Sequence, residues 1–443
     1  MPDLKQELRR LANDAARQAR PMALDDVIRE AERRGTAVQG RQRNDRAPRR
    51  RRPGWLVPLA AGVAVVAAVG VSVAISRAVP ASAPVGAGSA ARTVYAIYSA
   101  AGTPGNSGPS TVVPVRNGKA GKLIRVDDAG DAVVTPDGKT LYVPGAGTII
   151  PISTATGKPG KPINVRAVGP GAVLTVDPNG KMGYASSNGS STVVPIDLAT
   201  NKPGKPIHLP GSWVGQIVFA PDGKTAYDLP DSGPDGVTPI STATGRTGRQ
   251  FLIGDSPSGM LFSPDGKTAY VTALNAGAVV VTPVNLATGN TGRPIYRTKN
   301  SYPDSMVLTP DGKTLYIAAK YGVVPVSTAT GKAGPAIGSR PAEEMVITPN
   351  GKTVYVNNLG GSDGAIVPIS TATKTAGKPI LKGDYSKIGL SPGGGTLYAA
   401  TLSPGSAQLG QIKIVPINSA TGTLGRAIRI PVTVGTPYSV LTP

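Results

Sequence analysis

From Arg92 to the carboxyl terminus the sequence repeats one unit with a period of about 44 residues, and no other feature constrains its fold as strongly. A turn marks each copy: Thr135-Pro136-Asp137-Gly138, Asp177-Pro178-Asn179-Gly180, Ala220-Pro221-Asp222-Gly223, Ser263-Pro264-Asp265-Gly266, Thr309-Pro310-Asp311-Gly312, Thr348-Pro349-Asn350-Gly351 and Ser391-Pro392-Gly393-Gly394. The chain stops at Thr442-Pro443, the first half of another copy. After each full turn a tyrosine falls at the same place, at positions 142, 184, 227, 270, 316, 355 and 398, and Tyr95 matches it without a preceding turn.

Each unit then carries a short apolar run with a central proline, from Val112–Val115 to Ile414–Ile417, and a Thr-Gly or similar turn into a final Lys-Pro-Ile-like segment. The unit reads as a four-stranded antiparallel meander with strands a, b, c and d, where Asp-Gly and Thr-Gly supply the hairpin turns. One meander cannot bury both of its faces, so the units are expected to stack radially as an all-β propeller. The array opens on a strand b and ends on a strand a. Pairing of the last strand with the first unit closes a ring of eight blades; seven blades, with one unit spare, is the alternative.

The repeat resembles the YVTN β-propeller family, on the strength of Tyr270-Val271-Thr272-Ala273, Tyr355-Val356-Asn357-Asn358 and the segment Thr135–Val143. The resemblance spans Arg92–Pro443 and implies a propeller scaffold of unspecified binding function. The departure lies in strand c, where Pro114, Pro151, Pro195, Pro239, Pro283, Pro325, Pro368 and Pro416 recur. Proline cannot donate to a sheet ladder, so strand d is expected to be short or unpaired beside it. The tyrosines are expected to fill the space between blades.

Residues 1–91 follow other rules. Trp55–Ser76 contains no charged residue, and as a helix it reaches roughly 30 Å, enough to cross a membrane. Arg49–Arg52 precede it, so the positive-inside rule puts residues 1–54 in the cytoplasm and the repeat domain outside. The long basic region ahead of the span favours a retained anchor over a cleaved signal peptide. Within 1–54, Leu4, Leu8, Leu11 and Ala15 make one helical stripe ended by Pro21, and Leu24, Val27, Ile28 and Ala31 make a second ended by Gly35. Docking of a cytoplasmic partner on this tail is the alternative to the favoured reading, a marginal helix that lies against the membrane or is loosely structured. Residues 77–91 are an Ala/Pro/Gly/Ser linker reaching some 40 Å at most.

The net charge of +21 draws such a chain toward anionic surfaces. Meander topology sorts the charges after Arg77. The end carrying the a–b and c–d turns holds 21 Lys/Arg against six acids, and the end carrying the b–c and d–a loops holds 10 against 12. The candidate membrane-facing bases are Lys139, Lys158, Lys161, Lys202, Lys205, Lys224, Arg249, Lys313 and Lys378. The candidate outward binding loops carry Asp127, Asp128, Asp131, Asp228, Asp255, Asp304, Glu343, Glu344, Asp363 and Asp384.

Composition excludes several chemistries. With no cysteine there is no disulfide, thiol nucleophile or thiolate-bound metal. His208 is the one histidine and falls in a strand d, away from the axis. Each Asp-Gly turn offers a single acid, far short of a calcium shell. No cofactor is expected. Nucleic acid is disfavoured as a partner, because aromatics for base stacking are not interleaved with the bases. The expected function is a membrane-anchored extracytoplasmic binding scaffold with anionic lipid on one side and a protein or cell-wall ligand on the other. The alternative is a lactonase-like hydrolase or metal-binding enzyme at the central channel.

Overall fold

The computed structural model describes the chain between residues 93 and 441, except for 100–109, 117–118, 122–123, 127–131, 231–235, 300–304, 359–363, 404–408, 434–436 and the single positions 146, 170, 188, 212, 276, 339, 384, 386 and 392. The expected tail helices, the span 55–76 and the linker lie outside the described residues. Among the described residues no helix is long and apolar enough to cross a membrane.

The described strands form eight antiparallel sheets, six in the order a, b, c, d and two, the fourth and the sixth, with strands a, b and c alone and isolated bridges where strand d would run. In the second sheet the order is Val133–Val134, Thr140–Gly145, Thr148–Ser153 and Ile163–Asn164. In the first sheet strand b is Thr93–Ser99. Its strand a comes from the far end of the chain: Pro437–Leu441 runs antiparallel to it, with Tyr95 opposite Leu441 and Ala96 opposite Val440.

Strands b and c lie in the middle of each sheet and are covered on both faces, which is why they are near-continuous Val/Ile/Ala runs rather than alternating ones. Leu141, Tyr142, Val143 and Ile152 are all essentially inaccessible to solvent. The buried side chains gather between successive sheets. Tyr142, Ile149 and Ile163 of the second sheet pack with Leu174, Ala185, Val194 and Ile196 of the third. Tyr184 and Val193 of the third meet Ile217, Phe219, Ala226 and Ile240 of the fourth. The same arrangement recurs from Tyr227 through Tyr270 and Tyr316 to Tyr355. These six repeat tyrosines therefore fill inter-sheet space, as their spacing implies.

The strand c prolines have a fixed address. Pro151, Pro195, Pro239, Pro283, Pro325, Pro368 and Pro416 stand opposite the repeat tyrosines of strand b, and Pro114 stands opposite Tyr95. On the outer side of the same strand the missing N–H interrupts strand d. In the third sheet strand d is split into Lys202–Pro203 and Ile207–His208, which pair with strand c on either side of Pro195. Between the pieces, Gly204 N–H donates to the Pro195 carbonyl at 2.7 Å. A Cβ on Gly204 would come within 3.1 Å of the Pro195 ring, so any larger residue has to press ring and strand d apart by a few tenths of an ångström where they cross. Gly160 on Pro151, Gly248 on Pro239 and Gly292 on Pro283 repeat the contact.

Each a–b turn is closed by its own side chains. Thr309 Oγ1 donates to Asp311 Oδ1 at 2.6 Å, Lys313 N–H donates to the same oxygen at 3.0 Å, and Gly312 takes a φ of 72° to complete the reversal.

Candidate functional site

The two turns of a repeat are joined to each other, which fixes them at one end of the sheet. Thr154 in a c–d turn donates its hydroxyl to the Gly138 carbonyl of the a–b turn at 2.7 Å, and its N–H to the Lys139 carbonyl at 2.9 Å. Thr328 on Gly312 and Thr371 on Gly351 do the same at 2.7 and 2.6 Å. All nine candidate bases named above sit on these turns or the adjoining strand d, and all nine are exposed. Lys139 reaches Asp137 at 3.5 Å, an exposed pair of little energetic weight.

A second set of bonds links neighbouring repeats at this end. The Tyr142 hydroxyl donates to Asn201 Oδ1 at 2.7 Å, in the c–d turn of the next sheet, with the Leu198 carbonyl at 3.2 Å. Tyr355 donates likewise to the Ser419 carbonyl, and Tyr316 reaches Thr371 more loosely at 3.5 Å. Burial, reinforced by Asp137 and Asp197, pushes the Tyr142 phenol up to about 12. Burial alone does the same to Tyr184, but the Tyr184 hydroxyl has no hydrogen-bond partner at all. His208 is exposed on strand d with its Nδ1 3.1 Å from Thr192 Oγ1, at the outer rim as its position in the repeat implies.

The opposite end is less uniform than the sequence suggests. Asp255 is exposed at the start of a strand a. Glu343 and Glu344 are half-buried, and Glu344 ties the a strands of two sheets together: its Oε2 accepts Ile388 N–H at 2.8 Å, and its Oε1 lies 3.9 Å from Lys387 Nζ. Asp228 departs from the expected loop position. It lies inside Thr225–Leu229, opposite Ile217 and Thr238, and is buried, because strand b runs on past Tyr227. Asp127, Asp128, Asp131, Asp304, Asp363 and Asp384 lie outside the described residues. Among the described residues no three acid or histidine side chains are grouped to hold a metal. The exposed aromatics Trp213 and Tyr321, 57% and 66% accessible, belong to a d–a and a b–c loop at this end.

No known family profile matches the chain, and no curated protein sequence matches it. Solved structures do. Dihydro-heme d1 dehydrogenase NirN in complex with DHE is similar over 78% of this chain and 74% of its own, with a TM-score of 0.62 at 13% identity. A eukaryotic initiation factor matches over 79% and 98%, with a TM-score of 0.52 at 14% identity. The Kuenenia stuttgartiensis hydrazine synthase matches over 70% and 97%, with a TM-score of 0.50 at 20% identity. These likenesses, together with the repetition of antiparallel sheets that pack face to face, make the domain a β-propeller. They speak to the fold alone.

Proposed function

We propose that the chain is a membrane-anchored scaffold whose propeller, closed at eight blades, holds its basic end toward an anionic membrane and offers its opposite loops to a protein or cell-wall ligand. The observation that carries this reading is the grouping of nine exposed bases on turns that are hydrogen-bonded into one end of the sheets. The antiparallel register of Pro437–Leu441 on Thr93–Ser99 supports ring closure. It also supports the emergence of the linker at the basic end, where strand b begins. Exposed Trp213 and Tyr321 support a protein partner, since such aromatics are enriched at interfaces. The YVTN-like repeat fits a scaffold role. A channel hydrolase is the second reading, and the enzymes among the structurally similar proteins keep it open.

Co-sedimentation of the 92–443 fragment with vesicles tests the proposal. Each surface lysine contributes at most about 1 kcal/mol near an anionic membrane, so the expected binding is additive and salt-sensitive. Binding to phosphatidylglycerol vesicles at low salt that disappears at high salt supports the reading. Equal sedimentation with neutral and anionic vesicles overturns it.

A further inference from the structure

Two a–b turns carry the same tetrapeptide, Pro178-Asn179-Gly180-Lys181 in the third repeat and Pro349-Asn350-Gly351-Lys352 in the seventh, yet they hold their asparagines differently. The backbones match. Gly180 N–H donates to the Asp177 carbonyl at 3.0 Å and Gly351 N–H to the Thr348 carbonyl at 2.8 Å, with φ of 67° and 68° at the glycines. Both asparagines are exposed to water. In the seventh repeat Asn350 Oδ1 is clamped, accepting the Thr348 hydroxyl at 2.7 Å and Lys352 N–H at 3.0 Å. In the third, buried Asp177 stands in the place of Thr348, and its own Oδ1 accepts Lys181 N–H at 2.8 Å and Met182 N–H at 3.0 Å. Asn179 Oδ1 is left with no donor among the described residues, and the Asn179 amide nitrogen makes one long contact, 3.5 Å to the Asp222 carbonyl of the next turn.

An asparagine followed by glycine is open to attack on its side-chain carbonyl by the glycine nitrogen, with no Cβ on that glycine in the way. We propose that Asn179 is a spontaneous modification site, converted to aspartate and isoaspartate in the folded protein while Asn350 persists. The first step forms a bond from Gly180 N to Asn179 Cγ, closing a succinimide ring, and the side-chain nitrogen leaves as ammonia with the proton that Gly180 N gives up. Water then opens the ring at either carbonyl. The net change is water taken up and ammonia released, with no oxidant or reductant. Asn179 can swing toward Gly180 N without breaking a bond to its carbonyl, whereas Asn350 must first give up both of its own. Two ordinary hydrogen bonds slow that swing roughly tenfold. Conversion replaces the amide that faces the Asp222 carbonyl with a carboxylate two residues from Asp177, and isoaspartate lengthens the backbone of a turn whose Gly180 faces the Pro136 ring. The site does not depend on which way the basic end faces.

The full chain in neutral detergent is aged at mildly alkaline pH, and the amide-to-acid mass change is followed at both sites by peptide mapping. The same chain aged in denaturant supplies the reference, because there the identical tetrapeptides set the pace. Relative to that reference, Asn179 is expected to convert roughly tenfold faster than Asn350 in the folded chain. Asp177→Thr rebuilds the turn already present at Thr348-Pro349-Asn350-Gly351 and is expected to slow Asn179 to the pace of Asn350. Thr348→Asp is expected to speed Asn350 in return. Equal folded-state rates at the two sites, or an Asn179 rate that Asp177→Thr leaves unchanged, overturns the proposal. Should Asp177→Thr fail to fold, the wild-type ratio and Thr348→Asp decide it, and an Asn350 rate unmoved by Thr348→Asp overturns it equally.

Discussion

The Tyr142 hydroxyl reaches across to the next sheet and donates to Asn201 Oδ1 at 2.7 Å, whereas the equivalent hydroxyl of Tyr184 finds Gly245 in place of the asparagine and donates to nothing. One repeated residue thus has two energetic signs. A hydrogen bond of this kind contributes about 1 kcal/mol net, and an unpaired buried hydroxyl costs a similar amount. Tyr142→Phe is expected to lower the denaturant midpoint, and Tyr184→Phe to leave it unchanged or raise it. Chemical unfolding of the two variants side by side checks this; equal losses would contradict the assignment.

The proline–glycine contact predicts a coupled pair. A Cβ at Gly292 would sit 2.9 Å from the Pro283 ring, so Gly292→Ala forces strand d away from strand c and is expected to cost about 1 kcal/mol or more. Adding Pro283→Val should recover part of that loss, because the obstructing ring is gone. Gly395→Ala, where a Cβ meets nothing within 4 Å, is the neutral reference. A double-mutant cycle on unfolding midpoints gives the coupling, and additivity would refute the contact.

Acid sensitivity follows from the a–b turns. The Thr309 hydroxyl and Lys313 N–H hold the Asp311 carboxyl below its usual value of 3.8, and Ser263 and Lys267 do the same for Asp265. A depressed folded-state pKa stabilises above the unfolded value and is lost as pH falls through the folded one. Melting temperature should therefore be flat above about pH 5 and fall below about pH 4. The seventh repeat already uses a neutral residue here: Asn350 Oδ1 accepts from Thr348 at 2.7 Å and from Lys352 N–H at 3.0 Å. Asp311→Asn should accordingly keep the neutral-pH melting temperature and shrink the acid-side drop. A melting series from acid to neutral pH reads this directly.

The absence of cysteine makes orientation measurable. With single cysteines at Asp255 and Lys378, an impermeant maleimide should label both in intact cells if the propeller is outside. Labelling at Lys378 should be slower than at Asp255 if the basic end lies on the membrane, and detergent should equalise the rates. Labelling of neither until lysis would reverse the proposed topology.

Much of the fold was legible because one pattern is written many times. The Asp-Gly turns, the apolar b and c runs and the terminal half-units together announced radial antiparallel sheets, and the strand c prolines announced a broken strand d. What stayed hidden depends on contacts between repeats. Nothing local in Tyr142 or Tyr184 tells which hydroxyl is satisfied; that is decided by the c–d turn of the next repeat, where Tyr142 reaches Asn201 and the Leu198 carbonyl and Tyr184 reaches no partner. The glycine that crosses each proline looks in the sequence like any other glycine near a turn, and only its contact with the neighbouring ring reveals its role. Repeat topology assigns Asp228 to a loop, yet strand b continues through it and buries it, and the bond from Ile388 N–H to Glu344 has no mark in the sequence.

The interrupted strand d has a consequence for how copies of the chain coexist. A sheet margin with a long free row of N–H and C=O groups invites another chain to add to it. In the third and seventh sheets the margin is two two-residue pieces separated by a proline-backed gap, and in the fourth and sixth it is isolated bridges. An incoming strand meets no continuous ladder along these margins. Strand addition between copies is thereby opposed at these four margins, whereas the eighth sheet keeps an unbroken outer strand, Ile428–Thr433.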